Sequence, residues 1–344
     1  MSFVQPVLLH NFATRVLEKL GLTSTEAELV AETLIEADMQ GVSTHGIIRL
    51  VTYARRVAAG GIKVPTKITV VREGPCTALL DAGAAFGQLA AFRAAQMAVA
   101  KAAQCGVGVV GVRNSNHFGR AGYYTEYIAR QEMIGICLSN ASPRLAPWGG
   151  RKPLLGNNPW SIGVPGEPDI LFLDMANSIA AAGKIREAAK LGKPIPPGWA
   201  LDRNGRPTTD PVQALEGILL PFGEYKGYGI TLMVGVLTGL LTGGKWDAEI
   251  KPVDALDSPQ EESHLVMALR ITDFTPLEEF KKRISSIVSQ IKSSPRADGF
   301  SEIFLPGEIE RRRRVESEKK GIALSPSTIA VLQNLALELN VSPL

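Results

Sequence analysis

The chain has 344 residues, 45% of them hydrophobic and 21% charged, with a net charge of +3. That length can bury ample core in two or three domains, and the composition is that of an ordinary soluble globular protein. The small net charge argues against a nucleic-acid binder, while Cys76, Cys105 and Cys137, about thirty residues apart, fit neither a zinc site nor a disulfide framework, so a reducing cytoplasm is expected.

The N-terminal stretch MSFVQPVLLHNFATRVLEKLG reads as amphipathic rather than as a signal peptide, because charges intervene by Glu18 and Lys19. Residues 7–21 carry apolar positions at helical spacing, and Thr25 with Glu28 predicts a capping box for a second helix running to about Gln40. Next comes Gly41-Val42-Ser43-Thr44-His45-Gly46-Ile47-Ile48-Arg49. Its turn glycine and two hydroxyl caps predict a third helix from about His45, which Gly60-Gly61 ends. On that helix His45 and Arg49 would be four apart and share a face. Such a pair suits a small acid, since Arg clamps a carboxylate in bidentate fashion while His handles the proton on the adjacent carbon. The plainer alternative is a capped surface helix with unrelated polar residues.

From about 67 to 272 the pattern alternates. Apolar runs ITVV (68–71), VGVVGV (107–112), IGICLS (134–139) and ILFLDM (170–175) are interleaved with helical stretches at 85–104, 120–132, 178–190 and 227–242. A strand at about 264–271 completes a mixed α/β domain around one sheet. Gly227 to Gly244 is free of charge for eighteen residues, near the lower limit for a membrane span. Its six glycines and the flanking Lys226 and Lys245 favour a buried helix instead, with Gly235 and Gly239 allowing a close helix contact, and no membrane partner is expected. The tail returns to helix at 275–293, 307–320 and 326–339. There Arg311 to Arg314, interleaved with Glu308, Glu310, Glu316 and Glu318, reads as a solvated face.

His117 lies in Asn-Ser-Asn-His-Phe-Gly, directly after the VGVVGV strand, and open α/β sheets place ligands at such strand ends. It could equally bond a neighbouring carbonyl. His10 and His264 show no chemical company in the sequence. No GxGxxG follows any strand, so the Rossmann fingerprint is absent. GLLTGGK (239–245) fails as a P-loop, because Trp246 stands where Ser or Thr is needed and the segment finishes a helix instead of opening one. APWGG (146–150) and LGNNP (155–159) give tight turns, and FGEYKGYG (222–229) sets Lys226 at a helix start, where a cation and free amides suit an anion such as a phosphate.

Taken together, ADMQGVSTHGIIRL, VGVRNSNHFGRAGYY, APWGGRKPLLGNNP, LDMANSIAAAGKI, GWALDRNGRPTTDP, LPFGEYKGYG and LPGEIE occur in the order seen in the malate/L-lactate dehydrogenase family, which the chain resembles over essentially its whole length. The resemblance implies a non-Rossmann oxidoreductase that uses NAD or NADP on a small 2-hydroxy or 2-oxo acid. It implies an α/β (α+β) fold with a central mixed sheet at 67–274, and a helical domain built from segments 1–66 and 275–344. A homodimer is also implied. By the same resemblance His45 would be the proton donor or acceptor, with Thr44 (often Ser in relatives) beside it, and Arg49 the carboxylate clamp. His117 matches a His at the catalytic or cofactor site, so the proton carrier is left open between His45 and His117. His117, Phe118, Gly119, Asp174, Met175, Ala176, Lys226, Pro306, Gly307 and Glu308 would bind the cofactor. Asn157 stands where relatives commonly carry Thr, and Lys184 resembles the hydroxyacid branch rather than the cyclic imino-acid reductases; both are expected at the substrate. Arg120 or Arg144 would neutralise a second acid group, which favours malate or sulfolactate over lactate. Ureidoglycolate and cyclic imino acids are the alternatives on the same scaffold, and a nucleotide-binding protein without turnover is the rival from another class.

Overall fold

The computed structural model describes residues 2–344 apart from Pro168. A short strand β1 (Ser2–Val4) precedes helices α1 (Pro6–Lys19), α2 (Ser24–Met39) and α3 (Arg49–Ala59). Then come β2 (Thr69–Glu73), β3 (Thr77–Asp81), α4 (Gly87–Cys105), β4 (Val107–Ser115), α5 (Ala121–Arg130), β5 (Met133–Ser139), β6 (Trp160–Val164) and β7 (Leu171–Met175). Helix α6 (Ala182–Lys190) leads into β8 (Ala200–Leu201), β9 (Pro207–Thr208), α7 (Pro211–Glu216), β10 (Ile218–Leu219) and α8 (Tyr225–Gly235). The chain closes with β11 (Glu262–Arg270), α9 (Leu277–Ser293), α10 (Glu308–Lys320), β12 (Ile322–Leu324) and α11 (Pro326–Leu339).

Seven strands form one mixed sheet in the order β2-β3-β4-β11-β5-β6-β7, in which β3 and β4 are parallel and the remaining neighbours antiparallel. The late strand β11 therefore occupies the centre of the sheet. Small residues set the packing on one face. Helix α4 buries Ala90, Ala91, Ala94, Ala95, Ala98 and Ala102 against the sheet, and a Cβ built on Gly108 of β4 would lie 2.0 Å from the Ala98 carbonyl oxygen. Helix and strand backbones thus approach more closely than any other residue at 108 would allow. The same closeness recurs at the first turn of α4, where a Cβ on Gly87 would lie 2.0 Å from the Asn116 carbonyl oxygen and 2.7 Å from that of His117. The loop after β4 is held against the helix by this contact.

A second core joins the two ends of the chain. Phe12, Val16, Leu34, Leu50 and Tyr53 pack with Leu332 and Leu335, and β1 pairs with β12 antiparallel. Helix α10 is tied to α2 by Arg314, whose Nε and Nη2 each reach Glu36 at 3.1 Å. Helix α9 instead lies by the sheet, with Lys281 on Glu132 at 2.7 Å. The arginine run is an ion-paired face: Arg311 meets Asp169 at 3.0 Å and Arg312 meets Glu308 at 2.6 Å.

Three sequence expectations change. The capping box of α2 uses Thr23 and Glu26, not Thr25 and Glu28, because the helix starts at Ser24. The stretch 227–242 is α-helical only through Gly235 and continues as a π-turn over Val236–Leu240. Its packing is one-sided: Val234 is buried against Leu138 and Leu265, while Met233, Leu237, Leu240 and Leu241 are exposed. Gly235 and Gly239 meet the following loop, at Trp246 and at the Lys245 carbonyl, rather than another helix. No helix among the described residues is long and apolar enough to cross a membrane.

Gly87→Ala is expected to destabilise the protein by roughly 1–3 kcal/mol, since the added methyl must displace the 116–117 backbone. Urea unfolding measures this, and an unchanged midpoint would contradict the packing described.

Candidate active site

The turn before α3 is built around a buried acid. The Asp38 carboxylate accepts the Ile47 N–H at 2.6 Å, and a Cβ on Gly46 would lie 1.9 Å from Asp38 Oδ1. This anchor curls Ser43–His45 into a 3-10 turn, and the α-helix begins at Arg49 rather than at His45. His45 and Arg49 therefore do not stack along one helix. Arg49 Nε reaches back to the Thr44 carbonyl at 2.6 Å, and the Thr44 hydroxyl sits 2.9 Å from His45 Nδ1. Gly183, in the first turn of α6, packs on the Thr44 methyl, its hypothetical Cβ only 2.5 Å away. This brings Arg186 to a cavity of about 490 Å³ that Thr44, Arg49, Gly183 and Glu187 also line, while Lys184 is exposed on α6 and is not part of that lining.

His117 enters from the other side, on the loop between β4 and α5. Its ring stacks on His45 with centroids 5.2 Å apart. Tyr53 Oη lies 2.7 Å from His117 Nδ1, and Gln88 Nε2 donates to Tyr53 Oη at 2.8 Å. The loop is fixed from below: Gln260 Oε1 accepts the His117 N–H at 3.1 Å, and the buried Arg56 donates to Asn116 Oδ1 at 3.0 Å and to the Ala255 carbonyl at 2.6 Å. Phe118 is sandwiched between Tyr124 and His264. His264, which the sequence left without company, is fully buried with its ring nitrogens 2.8 Å from the hydroxyls of Ser139 and Ser115. It is a core histidine that supports Phe118.

Charge in this compartment is lopsided. Burial, reinforced by the Arg49 and Arg120 guanidiniums, pushes His45 down to about 3. Burial and then Arg49 and His45 hold His117 well below the ordinary range. Arg49 makes no ion pair among the described residues and has the Thr44 carbonyl as its partner. Arg144 is held low by burial and by the nearby Arg186 guanidinium. Asp38 is raised to about 7 by burial, which weakens the negative charge the turn sets against these cations.

The positions expected to bind a cofactor converge along β7. Asp174 Oδ2 accepts the Gly122 N–H at 2.8 Å and meets Arg120 at 3.4 Å. Beyond Met175 and Ala176, Asn177 donates its N–H to the Asn157 carbonyl at 2.8 Å and accepts the Phe222 N–H at 2.9 Å. That brings Asn157 and the turn leading to the exposed Lys226 to the same edge. Gly307, at φ +79°, lies against the Phe172 ring. Pro306 is exposed beside it. The Glu308 carboxylate is taken up by Lys292 at 2.8 Å and by the Leu305 N–H at 3.0 Å. One expectation is corrected: Arg120 is buried and ion-paired with Glu126 and Asp174, so its charge is not free for a second acid group on a ligand. Sequence reasoning missed Tyr53, Gln88, Asp38 and Arg186. Tyr53 sits four residues after Arg49, a spacing that could have flagged it.

Two imidazoles that burial keeps neutral beside a guanidinium with no ion pair among the described residues have the chemistry suited to proton transfer on an anionic ligand. The sequence profile of the malate/L-lactate dehydrogenase family matches residues 4–333. The chain is 39% identical to a malate dehydrogenase of Pyrococcus abyssi, covering 98% of this chain and 94% of that protein. It is 35% identical to a malate/(S)-sulfolactate dehydrogenase of Methanothermus fervidus, covering 98% of each. The solved sulfolactate dehydrogenase of Methanocaldococcus jannaschii superposes with a TM-score of 0.94 at 37% identity, covering 99% of this chain and 98% of that one. The protein belongs to the malate/L-lactate dehydrogenase family. It is a dehydrogenase, and membership implies a nicotinamide cofactor. The β7 edge fits such a polar group: Ser178 Oγ and Arg120 Nε are buried there without partners among the described residues, and Gly119 adopts φ +80°.

His45 is expected to stay neutral in the unliganded enzyme at about pH 5, well below the ordinary imidazole range. Because its folded value is depressed, its contribution to stability is complete above about 6.5 and is lost as pH falls toward about 3. Nitrogen-15 histidine spectra read this directly; a protonated His45 at pH 5 would refute it.

Proposed function

We propose that the enzyme transfers hydride between NAD or NADP and C2 of a small 2-hydroxy or 2-oxo acid carrying a second anionic group, of the malate/oxaloacetate or sulfolactate/sulfopyruvate kind. The observation that carries this reading is the stacked His45–His117 pair, 5.2 Å between centroids, beside the unpaired Arg49. Gly119, Asp174, Met175, Ala176, Lys226 and Gly307 would hold the nicotinamide cofactor, which would supply the hydride-transfer chemistry. Arg49 orients the C1 carboxylate. His117 exchanges the proton at the C2 oxygen through Nε2, because Tyr53 engages its Nδ1. His45, bridged to Thr44, lines the opposite side and hydrogen-bonds the same oxygen.

The second anionic group is met by Arg144 and Arg186. Burial and then the Arg186 guanidinium hold Arg144 low, so an anion beside it would be favoured, and a second carboxylate or sulfonate left unpaired in the pocket would be costly to bury. Arg120, spent on Glu126 and Asp174, takes no part. Oxaloacetate or sulfopyruvate should then exceed pyruvate in kcat/KM, and Arg186→Ala should narrow that gap by roughly tenfold, the loss of one charge-assisted contact. An NADH and NADPH oxidation panel tests this. Equal activity on pyruvate in both proteins would remove the second-anion reading and leave the dehydrogenase assignment standing.

The exposed Met233, Leu237, Leu240 and Leu241, with Val70 and Val71 at the sheet edge, supply an apolar surface for a second copy. A homodimer is expected in sedimentation velocity; a fully active monomer at nanomolar concentration would contradict it.

A further inference from the structure

We infer that Tyr53 and Gln88 are positioning residues that set which nitrogen of His117 carries its proton, an inference that rests on the reading of His117 as the proton carrier. The hydrogen-bond chain has a direction. Gln88 Nε2 donates to Tyr53 Oη, and in this reading the phenolic proton points at His117 Nδ1, the other polar atom within hydrogen-bond distance. A neutral imidazole accepting at Nδ1 carries its hydrogen on Nε2. That tautomer cannot accept a hydroxyl proton at Nε2.

The means of reversing the chain lies in the same side chain. Gln88 is fully buried, and its Oε1 has no partner among the described residues. Turning the amide presents Oε1 to Tyr53, which then donates its proton to Gln88 and accepts from His117 Nδ1–H. The Nε2 lone pair becomes free for the substrate proton. After that proton arrives, the imidazolium keeps its Nδ1–H bonded to the Tyr53 oxygen, so the positive charge retains an acceptor. An orphaned buried carbonyl is costly, and here it is the reserve acceptor for the working form of His117. No bond other than O–H and N–H changes in this reversal, and no redox partner is needed.

Every charged or titratable group facing the chain is accounted for. Arg49 and Arg56 come from α3, His45 from the preceding turn, and Glu262 and His264 from β11. Burial keeps Tyr53 a neutral phenol by raising it above its ordinary range. The two arginines and His45 oppose a charge on His117. The acceptor at Nδ1 acts in the other direction, so its removal lowers the imidazolium pKa.

The test uses Tyr53→Phe and Gln88→Met in the full-length enzyme loaded with cofactor. Reduction requires charged His117 and declines as pH rises through its pKa; oxidation requires neutral His117 and rises through the same value. Losing the acceptor should move both limbs to lower pH by about one unit and reduce kcat about tenfold, the equivalent of one hydrogen bond. KM for the acid, set by Arg49, should stay within about twofold. Nitrogen-15 histidine spectra should show His117 fixed as the Nε2–H tautomer in Gln88→Met and mixed in Tyr53→Phe. The isosteric Phe keeps the edge contact with Phe86, so Tyr53→Phe should fold even if Gln88→Met does not. Variants that lose rate while both limbs stay in place, with the tautomer unchanged, overturn the inference. His117→Asn separates the two readings: retained turnover in that variant overturns the proton role of His117 and with it the inference, whereas its collapse alongside unmoved limbs overturns the positioning role alone.

Discussion

Positive charge set against acids that burial pushes up, Asp38 to about 7 and Glu262 to about 8, governs the site. Arg56 is satisfied mainly by carbonyl oxygens, those of Gly61, Val253, Ala255 and Ser258, and Arg49 by the Thr44 carbonyl alone. Carbonyls satisfy the donors but leave the net charge in place. Burial first, and this charge second, keep the enclosed imidazoles neutral, His45 as far down as about 3. In the proposed reaction an arriving carboxylate would offset the Arg49 part of this shift and so move both histidines upward, while the larger part, burial, stays.

The fold supplies this arrangement through one helix and two close contacts. Arg49, Tyr53 and Arg56 recur at the spacing that places residues on one side of α3. They reach the Thr44 carbonyl, His117 Nδ1 and the Asn116 side chain respectively. The helix bridges the His45 turn and the His117 loop. Gly46 against Asp38 sets the first, and Gly87 against the 116–117 carbonyls sets the second. Neither contact leaves room for a methyl group, so the two imidazoles are held by backbone packing as much as by their own bonds.

Much of this was legible in the sequence where the signal is local. Turn chemistry exposed the His45 segment, and the position of His117 after a β-rich run exposed the second imidazole. The exact start of α3 was misread because the hydroxyls of Ser43 and Thr44 imitate caps, while the turn is fixed by Asp38. Long-range pairings were not legible. His264 looked isolated because Ser115 and Ser139 lie 149 and 125 residues away in the chain. Arg120 looked free because one of its carboxylates is Asp174, 54 residues on. Tyr53 and Gln88 carry the spacing of core residues, and burial hides their polar ends. Strands β3 and β6 escaped notice as short segments next to turns.

The two arginines at the far rim illustrate how such a site stores selectivity. Arg144 is fixed by its backbone, whose N–H donates to Leu155 and whose carbonyl accepts from Leu219. Arg186 is fixed by α6, itself pressed on Thr44 through Gly183. Burial and the Arg186 guanidinium lower Arg144, and Asp254 acts in the opposite direction. In the proposed reading, a ligand with one carboxylate would meet Arg49 alone, whereas a second anionic group would lie near Arg144 and Arg186. Discrimination would then depend on how firmly these two anchors hold the arginine side chains rather than on the number of contacts they make. Loosening either anchor would weaken selectivity even if every charged side chain were retained.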